Sequence, residues 1–480
     1  MAAKSWLLLA SLFLSPAAWG LTAAAGRVDI TPDLKRDRIY MAGFGATGRR
    51  PEGVHDPLYA RVLLLSDGGE TVAIVGLDLL GFYRNDVEDL RRQAGFDHPG
   101  RRLFVAATHT HSGPDTLGLW GPFPGVSGVN QRYHRELKEK IARELRRLSL
   151  RLKEARLSAS FQEIDPRGLC RDSRNPAVID PDLAAVSLKT AGGKTLATVV
   201  NWACHAEAVG PSNRLITADF PGPLCARVEQ KTGGACLFLN GPIGGLLTPD
   251  IPGGREDFEE AARIGTAVAD LALRGLSRPT ARSSRPRLAY ESETVRVPIE
   301  NSRYLLLLPA LTFGHRLMDA AGRPLPGWKA YWLALRHALR LLPAARRPWV
   351  ESEVSRIDLG PALVLGVPGE IFPELVIGGY DGRYRAGWPL IDPSNPNPPD
   401  LSQAPKGPYL RDFMRAPVKL VVGLANDELG YIVPAYDFKV RSGLLMLPRL
   451  PGHHYEETNS IGPAATRIIQ EAAERLVRQP

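Results

Sequence analysis

The sequence contains only four cysteines in 480 residues. They stand at Cys170, Cys204, Cys225 and Cys236, and this spacing matches no zinc knuckle, so a cysteine-based zinc site is not indicated. One or two disulfides are compatible with an even number of cysteines in an exported chain, but the spacing does not say which pairs form. Long apolar runs are also lacking after residue 20, and we therefore expect no transmembrane segment in the mature chain.

The chain also lacks clustered charge. Its formal net charge is +9, but the basic residues are scattered, which argues against nucleic-acid binding. An excess of arginine favours anionic surfaces such as lipid headgroups through long-range attraction. With 44% hydrophobic and 23% charged residues the chain has the composition of a globular protein, and its oligomeric state is not indicated.

The N-terminus has the features of an export signal. Residues 1–20 read MAAKSWLLLASLFLSPAAWG, in which Lys4 precedes an apolar run and small residues follow it. An N-terminal membrane anchor is the alternative, but the apolar run is shorter than the ~20 residues that a spanning helix needs. We therefore predict cleavage near residue 20 and a secreted or periplasmic protein.

Short apolar strands alternate with helical patterns along the rest of the chain. Such alternation predicts an α/β fold with mixed sheets and flanking helices. We expect helices at 133–148, 256–273 and 463–478, and polar strands within 280–300. The apolar segments 304–322 and 328–342 are predicted to be helical and to form a lid or side wall. No linker or internal repeat is visible, so 21–480 is read as one catalytic domain.

Several residues capable of binding a metal stand where predicted strands end. His109 and His111 follow the apolar run LFVAA, and in a continuing strand residues two apart share a face. His205 ends VVNWACH, Glu370 ends ALVLGVPGE, and Tyr431 lies just past LVVGLAND. Loops that follow the carboxyl ends of strands converge in open α/β sheets, so these groups are predicted to share one site.

Ten segments together resemble the neutral, non-lysosomal ceramidases, which are zinc amidases that cleave the N-acyl bond of sphingolipids. In order along the chain they are GRVDITP, MAGFG, GVHDPLYARVLLL, THTHSGP, SRNP, NWACH, ITADFPG, GVPGEIF, GLANDELGYIVP and HHYEETNSIGP. The combination of THTHSGP, NWxxH and GxPGE is the most specific part. The resemblance covers nearly the whole mature chain.

This resemblance implies roles for individual residues. The zinc ligands of the family fall on His109, His205, Glu370 and Tyr431. The residues that handle the substrate amide fall on His111, Arg174 and Tyr455.

The implied chemistry fits these residue types. Two imidazoles and a carboxylate can hold Zn²⁺ and leave a position open, as catalytic rather than structural sites do. Zinc lowers the pKa of bound water to about 7, which gives a nucleophile for an amide carbonyl. His111 would then exchange a proton with the water or stabilise the oxyanion, which Tyr455 can also do, while Arg174 would fix a polar headgroup.

Two departures from the family affect the substrate. Pro242, Ile243 and Gly244 stand where the family has a turn rich in serine and asparagine. We also expect the immunoglobulin-like C-terminal domain of larger ceramidases to be absent, because the sequence ends shortly after the segment HHYEETNSIGP and its helix. We therefore expect a zinc amidase acting on ceramide or a similar lipid-like amide, at a membrane or micelle surface. The alternatives are a zinc hydrolase of an ester, a lactone or another amide, and a cell-envelope binding protein without turnover.

Overall fold

The structure is a computed structural model. It describes residues 20–301, 315–326, 328–329, 332–333, 336, 347–439, 451–452 and 454–479. Almost the whole predicted export signal and most of the predicted lid lie outside the described residues, so these two predictions stay predictions.

Three β-sheets form the body of the protein. The N-terminal sheet has five strands in the order Arg101–Ala107, Thr71–Leu77, Tyr59–Ser66, Thr22–Asp29 and Lys153–Glu154. The middle sheet has five strands in the order Ala235–Asn240, Thr195–Trp202, Asp182–Lys189, Arg156–Glu163 and Ala281–Ser283. The C-terminal sheet has four strands in the order Ala289–Pro298, Trp349–Asp358, Ala362–Gly366 and Val418–Val422.

Each of these sheets combines antiparallel pairs with one parallel pair. Three two-stranded sheets complete the set: Gly53–Val54 with Leu215–Ile216, Cys170–Asp172 with Leu247–Pro249, and Glu370–Ile371 with Tyr431–Ile432. The predicted mixed α/β architecture is therefore confirmed.

Helices cover the outer faces of the three sheets. Arg84–Ala94 and Gln131–Ser149 pack on the N-terminal sheet, Pro221–Thr232 and Phe258–Ser277 on the middle sheet, and Ala464–Arg478 on the C-terminal sheet. The described residues also include the short helices Pro373–Ile377 and Leu410–Phe413 and the 3₁₀ turns Gly244–Leu246, Leu401–Gln403, Ala435–Asp437 and Glu456–Asn459. The three helices expected from the sequence are confirmed, with boundaries shifted by at most four residues. In the described ranges no helix is long and apolar enough to cross a membrane.

Local sequence explains where the longer helices begin and which face they bury. Asn130 caps Gln131–Ser149 by accepting a hydrogen bond from the amide of Tyr133. The buried face of this helix includes Leu137, Ile141 and Leu145, which are spaced four residues apart as an amphipathic helix requires. Asp257 caps Phe258–Ser277 in the same way.

One buried apolar cluster contains residues of all three sheets. Phe104 from the N-terminal sheet, Leu237 from the middle sheet and Val364 from the C-terminal sheet belong to the same buried cluster. Gly366 shows how close the sheets approach, because a Cβ atom there would lie 2.4 Å from Cε2 of Phe104. This packing fixes the positions of the strand ends relative to one another.

We predict that Phe104→Ala lowers the free energy of unfolding by about 3–5 kcal/mol, because it removes a fully buried ring and leaves a cavity between two sheets. Urea unfolding followed by circular dichroism measures this loss. Leu150→Ala is the control, since Leu150 is 88% exposed and its truncation should cost less than about 0.5 kcal/mol. Equal losses in the two variants would contradict a shared core.

Candidate metal centre

The residues expected at strand ends do follow strands of the three main sheets. The loop with His109 and His111 follows Arg101–Ala107, and His205 follows Thr195–Trp202. Glu370 follows Ala362–Gly366. Each of these strands belongs to a parallel pair, so the loops open on the same edge as those of the neighbouring strands.

The side chains of His109 and His111 lie close together for a reason that differs from the one expected. The strand ends at Ala107, and His109 adopts a left-handed conformation with φ 67°. The argument that alternate residues of a strand share a face is therefore wrong for this pair. The loop is held instead by the amide of His111, which donates to the carbonyl oxygen of Ala206 at 3.0 Å, so it is tied to the loop that follows His205.

Three imidazoles converge in the interior. The ring centroid of His109 lies 5.0 Å from that of His111 and 4.9 Å from that of His205. The ring centroids of His111 and His205 are 5.6 Å apart. One ring nitrogen from each lies within 4.8 Å of the others, which is a spacing that one metal ion can bridge. All three residues are buried.

Glu370 and Tyr431 reach the same point from a two-stranded parallel sheet in which they are direct partners. Oε2 of Glu370 lies 3.0 Å from Nε2 of His205 and 3.6 Å from Nε2 of His109. The hydroxyl of Tyr431 lies 3.5 Å from the same nitrogen of His205. The structure thus brings together the four groups expected as ligands, and His111 lies beside them.

Backbone carbonyls orient two of the imidazoles. Nδ1 of His109 lies 2.7 Å from the carbonyl oxygen of Leu80, and Nδ1 of His205 lies 2.8 Å from that of Leu247. A carbonyl oxygen only accepts, so each Nδ1 carries a proton and Nε2 is the nitrogen that remains for a metal. This is the arrangement that metal-binding histidines normally require. Without a cation, Nε2 of His205 donates to Oε2 of Glu370 at 3.0 Å. Burial lowers the pKa of His205, but this hydrogen bond and the charge of Glu370 outweigh burial and raise the pKa.

The side chain of Asn240 aligns the two histidine loops. Its amide nitrogen donates to the carbonyl oxygen of Thr108 at 3.0 Å and to that of Cys204 at 2.8 Å. These are the residues that directly precede His109 and His205. Its amide oxygen accepts from the backbone nitrogen of Cys204 at 3.2 Å. Asn240 is fully buried, so these bonds are not exchanged with solvent.

The protonation states suit metal binding. Burial lowers the pKa of His109 to about 4, and burial together with the neighbouring imidazoles lowers that of His111 well below its usual value. Burial opposes ionisation of Glu370, but the imidazoles of His109 and His205 outweigh it and lower the pKa of the carboxyl. The site therefore holds neutral His109 and His111 and an ionised carboxylate at neutral pH.

Tyr431 behaves differently from the other groups. Burial and the charge of Glu370 raise the pKa of its phenol well above the ordinary value. The phenol is therefore neutral without a cation, and it hydrogen-bonds to Glu370. A cation at the centre would reverse the local charge and favour phenol oxygen as a ligand.

Arg174 is buried and engaged by acidic side chains. Its Nη1 lies 2.5 Å from Oε2 of Glu456 and 3.1 Å from Oε2 of Glu457. Its Nη2 lies 2.7 Å from Oδ2 of Asp437. The Arg174 side chain is 1% exposed, and its single positive charge is shared among three carboxylates. Arg174 thus holds Glu456 in place, and its predicted contact with a polar headgroup stays a prediction.

A cavity of about 470 Å³ opens beside the centre. His111, Tyr431 and Tyr455 lie on its wall with Phe44 and Leu246. The wall thus combines aromatic and aliphatic surface with the side chains expected to handle an amide.

The turn that departs from the family packs against the residues after Glu370. A Cβ atom at Gly244 would lie 2.3 Å from Cδ2 and 2.6 Å from the backbone nitrogen of Phe372. Glycine is therefore required there, because any side chain would push the Glu370 strand away. Ile243 is buried in the core and offers no polar group to the cavity.

The donor set fits a zinc ion. Imidazole, carboxylate and phenol oxygen are all zinc ligands or compatible with it, and the histidines are held with Nε2 toward a common point. Both ring nitrogens of His111 are buried without a hydrogen-bond partner among the described residues. Such orphaned atoms are rare in a folded protein and indicate a place for an ion, water or substrate.

Sequence reasoning missed Asn240 and Glu207. Asn240 ends the apolar strand ACLFLN, so it carried the same strand-end signal as the histidines, but an amide is not a usual metal ligand. Glu207 is the only charged residue in the loop AEAVG, among small residues. Its carboxylate lies 3.3 Å from Nδ1 of His111. Asp219 holds the loop after His205 by accepting hydrogen bonds from the amides of Ala208 and Val209.

Comparison with known proteins identifies the fold. A structure described as a ceramidase complexed with C2 matches with a TM-score of 0.66 and 17% identity, over 95% of this chain and 75% of that chain. The neutral ceramidase of Pseudomonas aeruginosa matches with a TM-score of 0.62 and 17% identity, over 96% of this chain and 75% of that chain. No family model and no curated protein matches. At this identity the likeness establishes the fold, and the expected resemblance is confirmed at that level.

We predict that His205→Ala abolishes zinc binding, because it removes a buried ligand next to Glu370. Elemental analysis of the purified variant measures the zinc content. His98→Ala is the matched control, since this histidine has a side chain that is 73% exposed, and it should keep about one zinc per chain. Full zinc occupancy in His205→Ala would show that the ligand assignment is wrong.

We further predict that Asn240→Asp weakens zinc binding by about 10–100-fold, because a carboxylate cannot donate to Thr108 and Cys204 and the histidine loops lose their alignment. Competition with a chromogenic chelator measures the change. Asn201→Asp is the control, since Asn201 also donates to two buried carbonyl oxygens, of Leu239 and Val421, that are not adjacent to the centre. Equal losses of affinity would contradict the specific role of Asn240.

Proposed function

We propose that this chain, which has the neutral ceramidase fold, is a zinc-dependent amidase that cleaves the N-acyl bond of ceramide or a similar lipid-like amide. The observation that supports this proposal most directly is the convergence of His109, His205, Glu370 and Tyr431 beside a cavity lined by His111 and Tyr455. Export by residues 1–20 is part of the same proposal and accords with a lipid substrate at a membrane surface.

In this proposal His109, His205, Glu370 and Tyr431 hold the zinc ion. When bound, zinc supplies a Lewis acid that polarises a carbonyl and lowers the pKa of water. The carbonyls of Leu80 and Leu247 keep the two imidazoles in the tautomer that binds metal. Glu370 brings the only negative charge to the ligand set while the phenol is protonated.

His111 is the group that exchanges protons in the reaction. It is neutral, buried, and has ring nitrogens without partners among the described residues, so a nitrogen is ready to accept a proton from water. The same ring can return the proton to the amide nitrogen as the C–N bond breaks, so that the leaving group departs as a neutral amine. Tyr455 stands on the cavity wall and its phenol can donate to the carbonyl oxygen as negative charge develops there.

The cavity favours a lipid-like substrate over a small polar one. Phe44, Leu246 and the ring of Tyr455 give it apolar wall. The alternative function is a zinc hydrolase that cleaves an ester or a lactone. It would use the same centre, and only the bond held next to the metal would differ. A binding protein without turnover has no reason to keep His109, His205 and Glu370 together, so we favour an enzyme.

The experiment is a chain-length series of N-acyl sphingosines from acetyl to palmitoyl. Because each buried methylene contributes roughly 0.8 kcal/mol, kcat/KM should rise by up to about fourfold for each CH₂ that enters the cavity, until the cavity is filled. N-acyl amino acids and aryl esters serve as controls for the bond and the headgroup. Detergent micelles should modulate the rate.

A flat series, or faster cleavage of a short ester than of any ceramide, would contradict the lipid-amidase proposal. It would leave the metal centre itself untouched, because zinc content is measured independently of the substrate.

A further inference from the structure

Residues of the segment 43–49 pack around His111. Phe44 packs edge-on against it with ring centroids 4.8 Å apart. Gly43 lies so close that a Cβ atom there would be 2.5 Å from Cγ of His111. The guanidinium of Arg49 donates to the carbonyl oxygen of His111, which anchors its backbone. The imidazole ring therefore has little room to rotate. The group that faces its nitrogens then determines what the ring can do in the reaction.

The carboxylate of Glu207 faces one of those nitrogens. Its Oε2 lies 3.3 Å from Nδ1 of His111. Its Oε1 accepts a hydrogen bond of 2.7 Å from the hydroxyl of Thr248, which holds the carboxylate in place. The distance to Nδ1 lies near the upper end of hydrogen-bond range, although the ring is not aligned for a hydrogen bond in this structure. Such contacts in a site without substrate commonly tighten when the complex forms.

Glu207 also stands on the wall of the reaction cavity. It lines the cavity of about 470 Å³ together with His111. It lines a second, smaller cavity of about 160 Å³ as well, in which Phe44 is again part of the wall. Glu207 is thus at the junction of the two spaces and 13% exposed, close to the place where the amide must lie.

We propose that Glu207 is a positioning residue that fixes the ring orientation and tautomer of His111 in the reaction. This proposal rests on the proposed function, because His111 is assigned there as the proton-exchanging group. The carboxylate of Glu207, held by Thr248, faces Nδ1 and sets which nitrogen carries the hydrogen.

The consequence follows from hydrogen-bond chemistry. A carboxylate only accepts, so the nitrogen that faces it carries the hydrogen. Nε2 of His111 then holds the lone pair and is the atom that accepts a proton from water. With the other tautomer the ring would present an N–H there and could not act as a base. Glu207 acts through His111 and is not assigned a contact with the substrate or the metal.

Two readouts on the zinc-loaded protein test this proposal. The first is the ¹⁵N spectrum of histidine-labelled protein, in which the His111 signals are identified by their loss in His111→Ala. We expect the Nδ1–H tautomer in the wild type and a mixture of tautomers in Glu207→Ala. Glu207→Gln, which retains an acceptor oxygen, should keep the Nδ1–H form.

The second readout is a double-mutant cycle on amide hydrolysis. Glu207→Ala should lower kcat by about 10–100-fold, as loss of an orienting partner does, with KM and zinc content changed less than twofold. In the His111→Ala background it should have no further effect, since its action passes through that ring. Glu207→Gln should recover most of the rate. Glu256→Ala is the matched control, since Glu256 lines the smaller cavity only and should leave kcat unchanged.

An unchanged ¹⁵N spectrum in Glu207→Ala, loss of zinc, or the same loss of kcat with and without His111 would overturn the proposal. If the wild-type protein cleaves no lipid amide, the proposed function fails, but the ¹⁵N comparison still decides whether Glu207 sets the tautomer of His111.

Discussion

The side-chain amide of Asn240 is the contact on which the geometry of the centre depends. It bonds to the backbone immediately before His109 and immediately before His205, so two loops from different sheets share one buried anchor. The sheets themselves are fixed by a common apolar core that includes Phe104, but packing alone does not set a loop to within a few tenths of an ångström. A bidentate amide does, because hydrogen bonds are directional and this one is shielded from water.

The electrostatics of the site follow from this enclosure. Burial lowers the pKa of His109 and keeps it neutral. Burial also opposes the charged form of His205, but the hydrogen bond to Glu370 and its charge outweigh this and raise the pKa of His205. The charge on Glu370 is in turn stabilised by the rings that face it. Farther out, the fully buried Arg174 compensates the carboxylates of Asp437, Glu456 and Glu457 and thereby keeps one wall of the cavity in place. Breaking such a buried ion pair by removing one partner is strongly destabilising, so Arg174 can matter for activity without touching substrate.

The ligand residues of this centre could be predicted from the sequence, but the contacts that position them could not. Strand-end position and residue type were sufficient to group His109, His205, Glu370 and Tyr431, because loops after parallel strands share an edge. The same reasoning gave the wrong local geometry for His109, since a left-handed residue after the strand cannot be read from apolar periodicity. Asn240 and Glu207 act through long-range hydrogen bonds and contacts, and the buried ion pairs of Arg174 could not be predicted because its acidic partners lie more than 260 residues away. Such pairings depend on the tertiary structure and leave no local pattern in the sequence.

The most direct test of the account is a crystal structure of the zinc-loaded protein with anomalous diffraction measured on both sides of the zinc edge. We expect one strong peak in the anomalous difference map, about 2.0–2.2 Å from Nε2 of His109, Nε2 of His205 and an oxygen of Glu370. The phenol oxygen of Tyr431 should be a further neighbour of this peak. We also expect His111 to stand apart from the ion, with Nδ1 toward Glu207. A peak bound by His109, His111 and His205 without Glu370, or no peak at all, would contradict the account.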